Sequence, residues 1–253
     1  MTIGHKTIGQ GPKKILFLHG WLSDYTIYDE IIPYFDTSKY TMAFVDYRGY
    51  GLSSQMQGDH SIEEIAKDVI HLAQELNWAQ FHIIGHSMAG MVMQKIAYLQ
   101  PDLLISGVAI TPVPASGLPL DAETAAYFSQ SADDDDVLTA LFDALTGKQY
   151  SNTFNEHMTA RARPALNRDA MLGYFKSWTT TDFSKDVAAL NTPIYVIAGE
   201  LDGAVGPDVL SSTYLKQLKN VNMDVIDGAG HYPMQETPIR LFSLIEKHLD
   251  TYS

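Results

Sequence analysis

The sequence predicts an α/β fold with a doubly wound, mostly parallel sheet, and two observations lead to it. Short apolar, β-branched runs alternate with longer segments whose apolar residues repeat at helical spacing. Runs such as FHII and PIYVIA also lack the inward–outward alternation of a half-solvated strand. Helices covering both faces of a parallel sheet account for both patterns, because they bury each strand on two sides.

Six strands are predicted, in chain order, at Ile15–Leu18, Met42–Val45, Phe81–Ile84, Ile105–Ile110, Ile194–Ala198 and Met223–Ile226. Helices are predicted at Ser61–Leu76, Met88–Leu99, Pro207–Leu218 and Ile239–Leu249. The first of these helices opens on Ser-Ile-Glu-Glu, a capping-box pattern, and Pro101 follows the second.

Between Ile110 and Pro193 the strand–helix rhythm breaks, and the segment is too long for a simple connection. Helical patterns around 137–145 and 170–177 predict a helical insertion over residues 113–185, with the core formed by 1–112 and 186–253. Most of its aromatic residues should attach it to the core, and a minority should face a pocket. These aromatic residues are Tyr127, Phe128, Phe142, Phe154, Tyr174, Phe175 and Trp178.

Composition excludes several classes of function. Of the 253 residues, 45% are apolar, and 17 basic against 30 acidic side chains give a net charge of −13, which disfavours nucleic acid and anionic lipid as partners. The absence of cysteine excludes disulfides, thiolate metal sites and a cysteine nucleophile. With no secretory-type apolar stretch at the N-terminus and no apolar run near eighteen residues, we expect a cytoplasmic protein without a membrane segment.

The most informative segment is FHIIGHSMAG, a predicted strand that turns at Ser87 into a predicted helix. A nucleophile elbow needs small residues two positions before and after its serine, because the sharp turn brings those backbones together. Gly85 and Ala89 meet that need, although alanine stands where G-x-S-x-G has its last glycine. The alternative is a tight turn whose serine only caps the helix.

A second strand runs into His19-Gly20-Trp21, where glycine allows the backbone to turn and to present an amide. The N–H groups of Trp21 and Met88 would then form a two-donor oxyanion hole. For the His19 side chain we favour a role in bracing the loop by hydrogen bonding.

Two polar residues, Asp202 and His231, follow later strands directly. The carboxyl ends of parallel strands share one edge of the sheet, so both could converge with Ser87 despite their distance in sequence. His82 and His86 are four residues apart, but they lie on a strand and its turn, where that spacing does not place them on one helical face, and we expect no metal site.

These motifs together resemble the α/β-hydrolase superfamily, in its compact capped branch. The resemblance spans essentially the whole chain and rests on the HGW loop, the Asp46–Ser53 turn (DYRGYGLS), GHSMAG, GELD and GAGH, in the family's order. The chain departs from the family at Ala89 and in a short N-terminus, where the first strand or two of the sheet could be missing or abbreviated.

The resemblance implies that Ser87 attacks a carbonyl, that His231 carries its proton and that Asp202 orients the imidazole. Glu200 is a rival for the acid, and Asp202 is preferred because it matches the family's position. His86 is a rival for the base, but a neighbour of the elbow serine should point away from it.

The leading interpretation is hydrolysis of small to medium carboxylic esters or lactones through an acyl-enzyme, without a cofactor. A carbon–carbon bond hydrolase and a slow or non-catalytic receptor remain alternatives, and the oligomeric state stays open. A serine at the elbow disfavours epoxide opening and dehalogenation, and Val108–Thr111 lacks the carboxylate of cofactor-free dioxygenases. The insertion should cap Ser87, with Gly20, Trp178 and Phe142 as candidate substrate contacts.

Overall fold

A computed structural model describes residues 2–252, and it confirms the predicted doubly wound, mostly parallel sheet. The sheet has the order β1-β3-β2-β4-β5-β6-β7, with β1 antiparallel to β3 and all other neighbours parallel. The strands are β1 (His5–Gly9), β2 (Lys13–Leu18), β3 (Tyr40–Val45), β4 (Phe81–His86), β5 (Leu104–Ile110), β6 (Ile194–Gly199) and β7 (Val221–Ile226). Every residue of β3, β4 and β6 is buried, as expected for strands that helices cover on both faces.

Eleven α-helices are found in the described residues: α1 (Ile62–Glu75), α2 (Ala89–Leu99), α3 (Ala122–Gln130), α4 (Asp135–Leu145), α5 (Asn152–Ala162), α6 (Arg168–Thr180), α7 (Ser184–Val187), α8 (Pro207–Ser212), α9 (Tyr214–Gln217), α10 (Pro233–Glu236) and α11 (Pro238–Thr251). Helices α1 and α2 pack together, α2 packs on β4 and β5, and α11 packs on β5. None of the helices in residues 2–252 is long and apolar enough to cross a membrane.

The start of α1 differs in detail from the capping box that its sequence suggested. Ser61 accepts a hydrogen bond from the Glu64 N–H at 3.1 Å, as a capping serine should. The Glu64 carboxylate, however, accepts from the N–H groups of Asp59 and His60 rather than from Ser61. The Ser61 side chain therefore caps the helix, and the Glu64 side chain holds the preceding loop.

Two other elements depart from the sequence prediction. The short N-terminal segment forms β1, an antiparallel edge strand, so the chain retains a first strand in abbreviated form. The single helix predicted over Pro207–Leu218 is two helices, because the backbone of Thr213 leaves the helical region (φ −110°, ψ −80°). This break lets Tyr214 bury its side chain. Its hydroxyl accepts a hydrogen bond from the Gln94 side-chain amide and donates one to the Val113 carbonyl.

Five helices, α3 to α7, lie between β5 and β6, where the sequence predicted a helical insertion. The insertion is joined to the core by backbone contacts as well as by side chains: Asn167 N–H donates to the Gly49 carbonyl, and the Leu145 carbonyl accepts from the His231 N–H. In its last long helix, α6, the ring of Tyr174 packs against Tyr50, and the Tyr174 hydroxyl donates a hydrogen bond to the Arg48 carbonyl.

Candidate active site

Ser87 occupies the turn between β4 and α2 with a positive φ of 55°, a backbone conformation that costs free energy for a residue with a side chain. Its N–H donates to the Ile110 carbonyl, and its own carbonyl accepts from Gly90 and Val113. A Cβ on Gly85 would lie 3.1 to 3.3 Å from atoms of Ala89, a tight contact that glycine avoids at this turn. The surrounding structure therefore holds the strained serine in place.

Ser87, His231 and Asp202 form a continuous hydrogen-bonded relay. The Ser87 Oγ lies 2.9 Å from His231 Nε2, and His231 Nδ1 lies 2.6 Å from Asp202 Oδ2. All three residues are buried. Because an ionised carboxylate only accepts hydrogen bonds, Nδ1 carries the proton that faces Asp202, and Nε2 is free to accept the hydroxyl proton of Ser87. This arrangement can activate the serine as a nucleophile.

The two candidate acids differ clearly in what they contact. The second oxygen of Asp202 accepts from the N–H groups of Ala204 and Val205, at 2.9 and 3.1 Å, which orients the carboxylate towards His231. Glu200 is exposed and accepts instead from the Gly228 N–H at 2.7 Å. In this structure Asp202 completes the relay, and Glu200 secures the start of the loop that carries His231.

The loop around His231 is held by Glu236, a residue that the sequence analysis did not select. Its carboxylate accepts from the N–H groups on both sides of His231, those of Gly230 at 2.8 Å and Tyr232 at 2.7 Å. Burial raises the pKa of Glu236 above its usual range, while these two hydrogen bonds oppose that effect. The His231 N–H itself donates to the Leu145 carbonyl at the end of α4, which ties the relay to the insertion.

The carbonyl of His231 is fixed by two further donors. His86 Nε2 lies 2.8 Å from it, and the Thr111 hydroxyl donates to it at 2.9 Å. Burial lowers the pKa of His86 well below its usual range, so the ring is neutral, with its proton on Nε2. His86 therefore contacts the backbone of His231, not the Ser87 hydroxyl, and the rival assignment of His86 as the base has no geometric support.

The backbone N–H groups of Trp21 and Met88 have no acceptor among residues 2–252. The loop that carries Trp21 lies beside the serine, because a Cβ on Gly20 would lie 3.1 Å from the Ser87 Cβ and 2.7 Å from His86 Nδ1, and Met88 follows Ser87 in the chain. Such free donors beside a nucleophile are what an oxyanion hole requires. His19, whose pKa burial lowers to about 4, contacts the Gly20 carbonyl through Nδ1 at 2.8 Å and so braces this loop as expected.

A cavity of about 430 Å³ opens onto Ser87 and His231. More than half of its lining residues come from the insertion, including Leu118, Phe128 and Trp178. Among the seven aromatic residues of the insertion named above, only Tyr127, Phe128 and Trp178 line it.

The structure does not place Phe142 on the wall of this cavity; it lines the small adjoining pocket instead. Phe142 is fully buried and does not line the cavity; it packs against Tyr232 at a ring distance of 5.4 Å. Gly20 is also absent from the cavity wall and lies behind Ser87. Phe128, which does line the cavity, stacks with Trp21 and Phe175.

No group of three or more His, Cys, Asp or Glu side chains in the described part of the chain is arranged to hold a metal ion.

Comparison with known proteins identifies close matches over most of the chain. The model of the alpha/beta hydrolase family matches residues 15–244. A pimeloyl-[acyl-carrier protein] methyl ester esterase from Klebsiella pneumoniae subsp. pneumoniae is 28% identical over 247 residues, covering 92% of each chain. A 2-(acetamidomethylene)succinate hydrolase from Mesorhizobium japonicum is 24% identical over 262 residues, covering 99% of this chain and 92% of its own.

Among solved structures, a bromoperoxidase from Bacillus anthracis superimposes with a TM-score of 0.88 at 20% identity, covering 97% of this chain and 94% of that one. At this identity the likeness concerns the fold.

Proposed function

The chain belongs to the alpha/beta hydrolase family, and from that premise we propose that it is a serine hydrolase of carboxylic esters that acts through an acyl-enzyme. The observation that carries the proposal is the Ser87–His231–Asp202 relay, with hydrogen-bond distances of 2.9 and 2.6 Å, beside a cavity that Ser87 and His231 line. Hydrolase relatives support the reaction class, and the methyl ester esterase among them supports an ester bond.

In the proposed mechanism Ser87 Oγ attacks the ester carbonyl while His231 Nε2 takes the hydroxyl proton. The N–H groups of Trp21 and Met88 stabilise the negative oxygen that forms, and Asp202 stabilises the imidazolium. His231 then protonates the leaving alcohol, which leaves an acyl group on Ser87. A water molecule, deprotonated by His231, releases the acid and restores the serine.

The insertion over residues 113–185 acts in this proposal as a cap that sets acyl size. Its side chains form most of the cavity wall, and about 430 Å³ lies near the lower end of the volumes of small-molecule pockets. Small to medium acyl groups or lactones therefore suit the cavity better than long-chain lipids.

We expect the kcat/KM of p-nitrophenyl esters, measured from acetate to laurate, to peak at short to medium chains. Trp178→Leu should shift that peak towards longer chains, because each added methylene contributes about 0.8 kcal/mol only where there is room. The indole N–H of Trp178 has no hydrogen-bond partner among the described residues, so this change breaks no protein hydrogen bond. Phe154→Leu, which alters an aromatic residue outside the cavity wall, is the matched control. A peak at long chains, or one that shifts equally in both variants, would contradict the role of the cap.

A second prediction concerns Glu236. Glutamine at this position keeps one acceptor but turns an amide N–H₂ towards the other backbone N–H, so the His231 loop loses one of its two contacts. We expect Glu236→Gln to lower kcat about tenfold or more with little change in KM, because proton transfer depends on the position of the imidazole and apolar binding does not. Glu246→Gln, at an exposed glutamate of α11, is the control. An unchanged kcat in a folded Glu236→Gln protein would refute this role.

A further inference from the structure

The wall of the cavity at Ser87 is largely apolar, and its polar side chains are those of Ser87, Thr124, Tyr127, His231 and Tyr232. Aliphatic side chains such as Leu118, Leu141 and Leu145 share it with Phe128 and Trp178. Within residues 2–252, none of its lining residues is Lys, Arg, Asp or Glu, and His231 is committed to the relay. An acyl group that enters this space therefore exchanges water for hydrocarbon surroundings.

Arg161 is the basic residue on the wall of the small adjoining pocket, which shares Leu22 with the cavity. Its guanidinium already donates to Gln235 at 3.0 Å and to Thr26 at 3.3 Å, and it lies 3.6 Å from the Asp29 carboxylate. Recruiting Arg161 to a substrate carboxylate would break these contacts.

A carboxylate, by contrast, lies just behind one part of the cavity wall. Thr124 lines the cavity, and both its N–H and its hydroxyl donate to Asp121, at 2.9 and 3.0 Å. These hydrogen bonds lower the pKa of Asp121, so that carboxylate stays ionised. Asp121 is exposed to solvent, so its carboxylate adds only a screened negative charge near the cavity and offers no cation to an anionic acyl group.

We propose that the enzyme selects esters whose acyl group carries no ionised group, and that a carboxylate on the acyl chain excludes a substrate. The inference rests on the proposed ester hydrolase function and deepens it. Its physical basis is desolvation: a carboxylate buried without a cation or a set of donors loses its hydration and gains no compensating contact. Binding of an uncharged apolar chain of the same length is instead favoured by the burial of its apolar surface.

The test uses three esters that share one leaving group. They are p-nitrophenyl hexanoate, the mono-p-nitrophenyl ester of adipic acid, and its methyl p-nitrophenyl diester, which is uncharged and one methyl group longer than the adipate. At a pH where the adipate is ionised, we expect its kcat/KM to be at least about 100-fold below that of hexanoate. The methyl diester should lie within about tenfold of hexanoate although it is the bulkier of the two adipate esters, because it carries no charge.

Two further measurements separate burial from long-range repulsion and test the wall directly. High salt screens surface charge, so a difference in kcat/KM between hexanoate and the adipate that arises in the cavity should persist at high salt. Leu118→Lys, which places a cation at the wall, should raise the kcat/KM of the adipate at least about tenfold relative to Leu118→Met.

Three outcomes would overturn the proposal. They are a kcat/KM of the adipate equal to or above that of hexanoate, a kcat/KM of the methyl diester as low as that of the adipate, or the same kcat/KM of the adipate in Leu118→Lys and Leu118→Met. Failure of the ester hydrolase function itself is distinguishable, because none of the three esters would then be hydrolysed.

Discussion

Ser87→Ala is expected to lower the turnover of a good ester substrate by about three orders of magnitude or more, because it removes the covalent route. The expected loss is large since the serine is the only hydroxyl placed 2.9 Å from His231 Nε2 in the described residues. Alanine has no Oγ and adds no bulk at the turn, so the fold should be retained. The measurement is kcat with purified protein, together with the thermal unfolding midpoint.

Ser23→Ala is the matched control for this variant. Ser23 is also buried, lies two residues after Trp21, and bonds the Gly20 carbonyl rather than any group of the relay. Its turnover and its labelling by a fluorophosphonate probe should remain close to those of the unmodified protein. If the probe labelled Ser87→Ala as fast as it labels the unmodified protein, or if that variant kept most of its turnover, the nucleophile would be a residue other than Ser87.

Asp202→Asn is the second change with a large expected effect. An asparagine amide can donate to His231 Nδ1, which places the imidazole proton on Nε2, where it faces the Ser87 hydroxyl and blocks proton transfer. A change of this kind is expected to lower kcat by roughly 10³- to 10⁴-fold. Measurement of kcat at saturating substrate isolates this effect from binding.

Glu200→Gln serves as the comparison for Asp202→Asn, because Glu200 is the other carboxylate of the same loop. It contacts only the Gly228 N–H at the start of the His231 loop, so we expect a loss of less than about tenfold. The opposite ordering of the two variants would assign the acid to Glu200 and contradict the relay described here.

Much of the fold and the relay could be predicted from local sequence alone. The residues of the relay each follow the carboxyl end of a strand within a few residues, and a parallel sheet brings these ends to one edge whatever the length of chain between them. The preference for Asp202 over Glu200 came from a resemblance, and the structure adds the reason: only Asp202 has two backbone donors that turn it towards His231.

The insertion was harder to predict because the helical phase of α4 decides which residues reach the cavity. Leu141, Ala144 and Leu145 lie on one side of α4 and line the cavity, whereas Phe142 is rotated by about 100° from Leu141 and packs under Tyr232. Both sides of α4 are apolar, so periodicity alone does not separate a cavity-lining residue from a core residue.

Glu236 was missed for a different reason. Its role depends on α10, a single helical turn that brings the carboxylate back to the N–H groups beside His231. The signal was present in Pro233 followed three residues later by glutamate, a pattern typical of a helix start. One short turn did not stand out beside the longer periodic segments.

The central claim, a covalent acyl group on Ser87, is tested most directly by rapid quenching followed by peptide mass spectrometry. The enzyme is mixed with excess p-nitrophenyl butyrate and quenched in acid during the first turnovers. The account predicts a burst of nitrophenol and a butyryl group on the peptide that contains Ser87, both absent from Ser87→Ala. The claim would be contradicted if nitrophenol were released steadily without a burst, if no Ser87 peptide were modified, and if the Ser87→Ala variant kept its turnover.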